Sequence, residues 1–298
     1  MFIVKLIKNH LAVASLLFSA TLWGLLWYPL RLLDQAGMSG VWSSFVMYLA
    51  AALLAVPALW QQYKIIPTLR YQLLGLALAA GITNVAFVVA LIDGEIMRVM
   101  LLFYLSPIWT VLLGFFWLHE RPSLSALTMF FIAMCGAVIM LWNTELGWPW
   151  PQNHAEWLAL LASFTFSINN VLARKLASVP MGLKTAVVWW GVVVVSIIVL
   201  FWQQTAIPDI SIYVWGVAWL LGWLGIVVMT IAVLYGVAKM PVYRSSVIML
   251  FELVVAALAA WWLTNETMSL QEWLGGLLII FAGYGVTHIE KTTRYSKD

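Results

Sequence analysis

Residues 97–120 read MRVMLLFYLSPIWTVLLGFFWLHE, and residues 243–266 read YRSSVIMLFELVVAALAAWWLTNE. Each stretch opens on an arginine, Arg98 or Arg244, and closes on a glutamate, Glu120 or Glu266. Ser123-Leu124 and Ser269-Leu270 follow at the same distance. A hydrocarbon core about 30 Å thick is crossed by about 20 apolar residues of helix. Each stretch is therefore one membrane crossing, and the second repeats the first 146 positions later. Near the start of each half, Arg31 matches Arg174 at an offset of 143.

The rest of the chain agrees with that reading. It is 64% hydrophobic and 9% charged over 298 residues, with a mean hydropathy of +0.98. A soluble domain needs more polar surface than this. The apolar runs are too long and too uniform for the alternating strands of a membrane β-barrel. The expected class is an all-α membrane protein with ten transmembrane helices, over 11–31, 40–60, 71–92, 97–118, 124–142, 155–175, 183–203, 212–237, 243–263 and 270–288. A five-helix unit crosses an odd number of times, so its second copy is inverted. Inverted repeats let one fold open to each side of a membrane in turn. The expected division is a first repeat over 1–142, an outer linker over 143–154, a second repeat over 155–290 and a cytoplasmic tail over 291–298.

Orientation follows from the basic residues. With the N-terminus inside, thirteen fall on the cytoplasmic side: Lys5, Lys8, Lys64, Arg70, Arg121, Arg174, Lys175, Lys184, Lys239, Arg244, Lys291, Arg294 and Lys297. Arg31 and Arg98 fall outside. The asymmetry predicts both termini in the cytoplasm of a bacterial-type inner membrane. Lys5 and Lys8 precede an apolar run that is too long for a signal peptide, and Ser19-Ala20-Thr21 is a poor cleavage site. The net charge of +3 thus orients the chain, and no nucleic-acid partner is expected.

Other residues exclude other chemistries. Cys135 is the single cysteine, so no disulfide forms within one chain. His10, His119, His154 and His288 are too scattered for a metal site. No Walker loop, zinc motif, nucleophile elbow or dinucleotide fingerprint occurs, so neither a cofactor nor an enzyme is expected. Many of the 19 tryptophans, Trp60, Trp117, Trp148 and Trp273 among them, fall near span ends, where indoles anchor at the interface. Trp23, Trp27, Trp109 and Trp223 lie deeper.

Several short motifs share an order and spacing. Leu22-Trp23-Gly24 with Arg31, Leu105-Ser106-Pro107 followed by Glu120, and Phe251-Glu252 with Ala256-Ala257 and Glu266 resemble the helix patterns of EamA-type transporters in the drug/metabolite transporter superfamily. The resemblance covers nearly the whole chain. It implies ten helices, a central cavity, and export or exchange of metabolites by alternating access. Members often carry Glu-Pro in the ninth helix; here Leu253 follows Glu252, so no proline kink is expected there.

Glu252 is the one acidic residue expected near the bilayer midplane. A carboxylate there costs about 2.5–3.5 kcal/mol on insertion scales, which favours a functional role. It would bind a substrate ammonium or a proton, or else hydrogen-bond a neighbouring helix. Ser163, Ser167 and Asn170 form a polar stripe on the sixth helix, while Asn84 and Tyr104 stand on the third and fourth. They either line a cavity or bond helix to helix. Trp23 and Trp27, with Tyr104 and Trp109, offer aromatic walls or pack the core. Pro29 and Pro107 interrupt their helices and are candidate hinges, as is Pro57. Gly275, Gly276, Ala282 and Gly283 allow close helix approach, within the chain or in a homodimer.

The expected function is secondary transport of an amino acid or related amphipathic metabolite. An organic cation such as a quaternary amine is the alternative substrate, and a non-transporting membrane scaffold subunit the alternative class. Small-molecule substrate, lipid bilayer and protons are the expected partners.

Overall fold

The computed structural model describes residues 2–143, 150–264 and 267–295, with side chains described for 10–143, 150–264 and 267–288. Trp148 and Glu266, both named from sequence, lie outside them. Among the described residues every regular element is helical. In order these are α1 (Phe2–Gln35), α2 (Gly40–Leu54), α3 (Val56–Gln61), α4 (Arg70–Asp93), α5 (Ile96–Phe103), α6 (Ser106–Leu118), α7 (Leu124–Leu141) and α8 (His154–Lys175). Then come α9 (Met181–Trp202), α10 (Ile212–Leu221), α11 (Val227–Lys239), α12 (Val242–Met249), α13 (Phe251–Leu263) and α14 (Leu270–Tyr295). A π turn over Gly222–Ile226 joins α10 to α11.

Among the described residues seven helical stretches are long and apolar enough to cross a membrane, and α2 is a shorter apolar helix. The chain is thus a multi-pass integral membrane protein. α8 is 22 residues long but carries Glu156, Asn169, Asn170, Arg174 and Lys175, which dilute its hydropathy. The reason for those polar groups appears at the site.

The two stretches that opened the sequence reading are both broken in the middle. α5 and α12 lie 146 positions apart at both ends, whereas α6 and α13 lie 145 apart. The second break is thus one residue shorter. In the first, Pro107 supplies no N–H, and the N–H groups of Leu105 and Ile108 turn to the carbonyls three residues back. In the second the same tightening occurs without proline: Leu250 N–H donates to Val247 and Leu253 N–H to Leu250. Pro29, by contrast, is accommodated inside an unbroken α1. Its expected role as a helix interruption is corrected accordingly: α1 continues from Phe2 to Gln35 through it.

Glycines set the close crossings. A Cβ on Gly81 of α4 would come 2.5 Å from the carbonyl oxygen of Gly191 on α9. A Cβ on Gly136 of α7 would come 2.7 Å from that of Gly275 on α14. Backbones meet there because nothing stands between them. Gly275 therefore finds its partner within the chain, while Gly283 faces open space. On the other side, Ser15 and Ser19 of α1 donate to the carbonyls of Ala232 and Met229 on α11, at 2.7 and 3.0 Å.

Candidate functional site

Both helix breaks open onto one cavity. Phe103, Tyr104, Ser106, Pro107 and Thr110 of the α5–α6 stretch and Phe166 and Asn170 of α8 form one wall. Val237 of α11, with Ser245, Ser246, Met249, Leu250 and Glu252 of the α12–α13 stretch, forms the other. The space between the walls comes to about 410 Å³ when the mouth is counted.

The local reason is the pair of breaks. A continuous helix would turn Tyr104 and Glu252 along fixed 100° steps, whereas here Tyr104 caps the end of α5 at one break and Glu252 starts α13 just after the other. Glu252 is the second residue of α13, where the unsatisfied N–H groups of the new helix favour a negative charge. The Tyr104 hydroxyl faces its carboxylate across the cavity. Among the described residues Glu252 is the only charged side chain on the lining. Thr110 is 1% exposed and its hydroxyl has no protein partner. Such an orphan is what a ligand or a water satisfies. The hydroxyls of Ser245 and Ser246 donate to the carbonyls of Val242 and Tyr243 in their own helix, both at 3.1 Å.

Of the residues named from sequence, the cavity gathers Tyr104, Asn170, Glu252 and Pro107. The others lie elsewhere. Ser163 and Ser167 share the α8 stripe with Asn170 but are wholly buried. The Ser167 hydroxyl donates to the carbonyls of Ser106 and Ser163, at 2.8 and 2.9 Å. Ser167 thus bonds α8 to α6, while the buried Ser163 hydroxyl has no protein partner. Asn84 donates to the Tyr48 hydroxyl at 3.4 Å, between α4 and α2. Trp23 and Trp27 are half-buried on α1 outside the lining. The cause is Gly24, whose Cβ would stand 2.7 Å from the Glu252 carbonyl oxygen. α1 and α13 meet backbone to backbone, with no slot for an indole between them. Trp109 packs edge-on against Phe164 at 5.7 Å, and the Trp223 indole donates to the Ala50 carbonyl at 3.0 Å.

Sequence reasoning passed over Ser245, Ser246 and Thr110. A signal existed for the serines: in the repeat they replace Val99 and Met100, polar groups where the first copy is apolar. Two ion pairs were also missed. Arg98 Nε lies 2.8 Å from Glu156 Oε1, with side chains 8% and 3% exposed. Gln152 N–H and the Asn153 amide also donate to that carboxylate, each at 2.9 Å. At the far end of α8, Arg174 Nε lies 3.1 Å from Glu120 Oε1. The arginine and glutamate ends of the first stretch, Arg98 and Glu120, are thus partners of α8 and account for its Glu156 and Arg174.

Comparison with known proteins adds a family. The sequence model described as the EamA-like transporter family matches residues 10–142 and, separately, residues 154–287. Protein RarD of Salmonella typhimurium (strain LT2) is 26% identical over 182 residues, 60% of this chain and 53% of its own. Protein RarD of Salmonella typhi is 26% identical over 153 residues, 50% of this chain and 48% of its own. The chain thus spans about half the length of these curated relatives. A solved crystal structure superposes with a TM-score of 0.72 over 93% of this chain and 98% of its own, at 17% identity, which is a likeness of fold.

Proposed function

The chain belongs to the EamA-like transporter family, and we propose that it carries a small amphipathic metabolite of amino-acid type by alternating access. The observation that carries the reading is the lone carboxyl of Glu252 in an otherwise uncharged cavity between two broken helices. Glu252 takes the substrate ammonium or a coupling proton. Thr110 and Asn170 hold the donors for a carboxylate at the other end, and Ser245 and Ser246 join them by rotating off their own carbonyls. Phe103, Phe166 and Met249 receive the apolar part. Two family matches in tandem, and the helix–break–helix recurring in each half, support ten helices as two five-helix repeats inverted in a bacterial-type inner membrane. Both termini are then cytoplasmic.

Counterflow in proteoliposomes tests it. Labelled amino acids should exchange against unlabelled ones, and excess amine lacking a carboxylate should compete weakly. The rings of Phe103, Tyr104 and Phe166 around a single acid favour a second reading, an organic cation held by charge and π-faces. In that case quaternary amines should compete best, and amino acids not at all. Absence of counterflow across both panels would remove the substrate class.

A further inference from the structure

We infer that Glu120 and Arg174 form the gate that closes one end of the cavity, the end beside Lys239, while Arg98 and Glu156 form a clamp that stays shut. This rests on the transport reading above and adds which contacts part during the cycle.

The lining leads directly to the gate. Asn170 precedes Arg174 by one turn of α8, Val237 adjoins Ala238, Ser246 follows Val242 by one turn of α12, and Thr110 precedes Gly114 by one turn of α6. One turn is about 6 Å, so these residues floor the cavity. The side chains of the pair both belong to one wall, Glu120 just beyond α6 and Arg174 on α8. Each reaches across to the backbone of the other wall. Glu120 accepts from Val242 N–H at 2.7 Å, and Arg174 donates to the Ala238 carbonyl at 2.8 Å. His119 aims the glutamate: its φ of 55° is left-handed, and the Glu120 N–H then folds back to the Gly114 carbonyl at 3.1 Å.

Separating the walls therefore breaks two crossing hydrogen bonds and leaves the ion pair whole. No charge is stranded, and the pair's 14% and 28% exposure lets water replace the lost backbone partners. The other pair is built differently. Arg98 on α5 and Glu156 on α8 lie in the same wall, and Arg98 also donates to the Trp150 carbonyl at 2.9 Å. The Glu156 carboxylate is held by Arg98, Gln152 and Asn153. That pair holds α5 to α8 whichever way the cavity faces.

The test is sided labelling. Ser246→Cys in a Cys135→Ser background places one thiol on the lining, and a membrane-impermeant methanethiosulfonate is applied to right-side-out and inverted vesicles. Glu120→Ala should raise labelling from the Lys239 side roughly tenfold, the worth of about one charged hydrogen bond, and leave the other side unraised. Gly114→Ala is an independent wedge, since its Cβ would collide with Val242 Cγ2; it should act in the same direction with every charge kept. Glu156→Gln should lower the melting temperature without changing the ratio between sides. Should Glu120→Ala unfold and label from both sides, the wedge decides. A sided ratio unmoved by Gly114→Ala, or moved as far by Glu156→Gln, overturns the gate. Counterflow is read separately, on vesicles of the parent protein with Ser246 intact: intact counterflow with an unmoved ratio overturns the gate alone, whereas a moved ratio without counterflow upholds the gate and removes the amino-acid and amine substrate classes.

Discussion

Glu252 and Tyr104, 148 positions apart, meet across the cavity because the chain breaks beside each of them, after Tyr104 at the end of α5 and before Glu252 at the start of α13. A carboxyl that binds a cation and a proton at one place must hand one over for the other. Glu252→Gln keeps the shape and a hydrogen-bond acceptor for Tyr104 but removes charge and titration. We expect it to insert and melt like the parent, and to lose transport or its dependence on pH. Wild-type flux from mildly acid to mildly alkaline pH would remove Glu252 from the mechanism. Thr110→Val tests the orphan hydroxyl. It is nearly the same size, so stability should change by less than about 1.5 kcal/mol, while KM for a carboxylate-bearing substrate should rise several-fold. Residue identity at Glu252 was legible from its depth in an apolar run. That Asn170 joins it and Ser167 does not was illegible, because a stripe on one helix face cannot say which of its members meets a neighbour and which meets a gap.

At the scale of elements, the breaks and crossings do the positioning. Proline explains the α5–α6 break; no proline follows Glu252, and the ninth span breaks at Leu250 without one. Ser245 and Ser246 already turn their hydroxyls onto α12 carbonyls, and Leu250 tightens the turn. Gly191→Leu should separate α9 from α4, since a side chain there meets the Ala77 backbone. We expect a loss of about 1–3 kcal/mol, the usual cost of overpacking, seen as lower thermal stability in detergent. Glu156→Leu strands Arg98 in a buried site. Removing one partner of such a pair costs about 3–5 kcal/mol, so this variant should express poorly, and Glu156→Gln better, since it still bonds Arg98.

For the whole molecule, the testable quantity is orientation. Single cysteines near Lys64, Arg121, Lys184 and Lys239, in a Cys135→Ser background, should react with an impermeant thiol reagent only from the cytoplasmic side. Labelling near Tyr63 from outside intact cells would sink the inverted arrangement. It would also reverse the side on which Glu120 and Arg174 stand.

Membrane class, helix content and the two-fold recurrence of Arg–Glu stretches were determined by the sequence alone, because a bilayer forces long apolar helices and a duplication leaves matched ends. The number of crossings read as ten from hydropathy, yet α8 looks too polar by that measure. Its Glu156, Asn170 and Arg174 answer Arg98, the cavity and Glu120, and those partners are distant in the chain. Only the tertiary structure decided them. Hydropathy reports how a residue prefers lipid or water, but in a membrane bundle a buried polar group is stabilised by a partner on another helix. Which partner it meets depends on where Gly24, Gly81 and Gly136 let backbones touch.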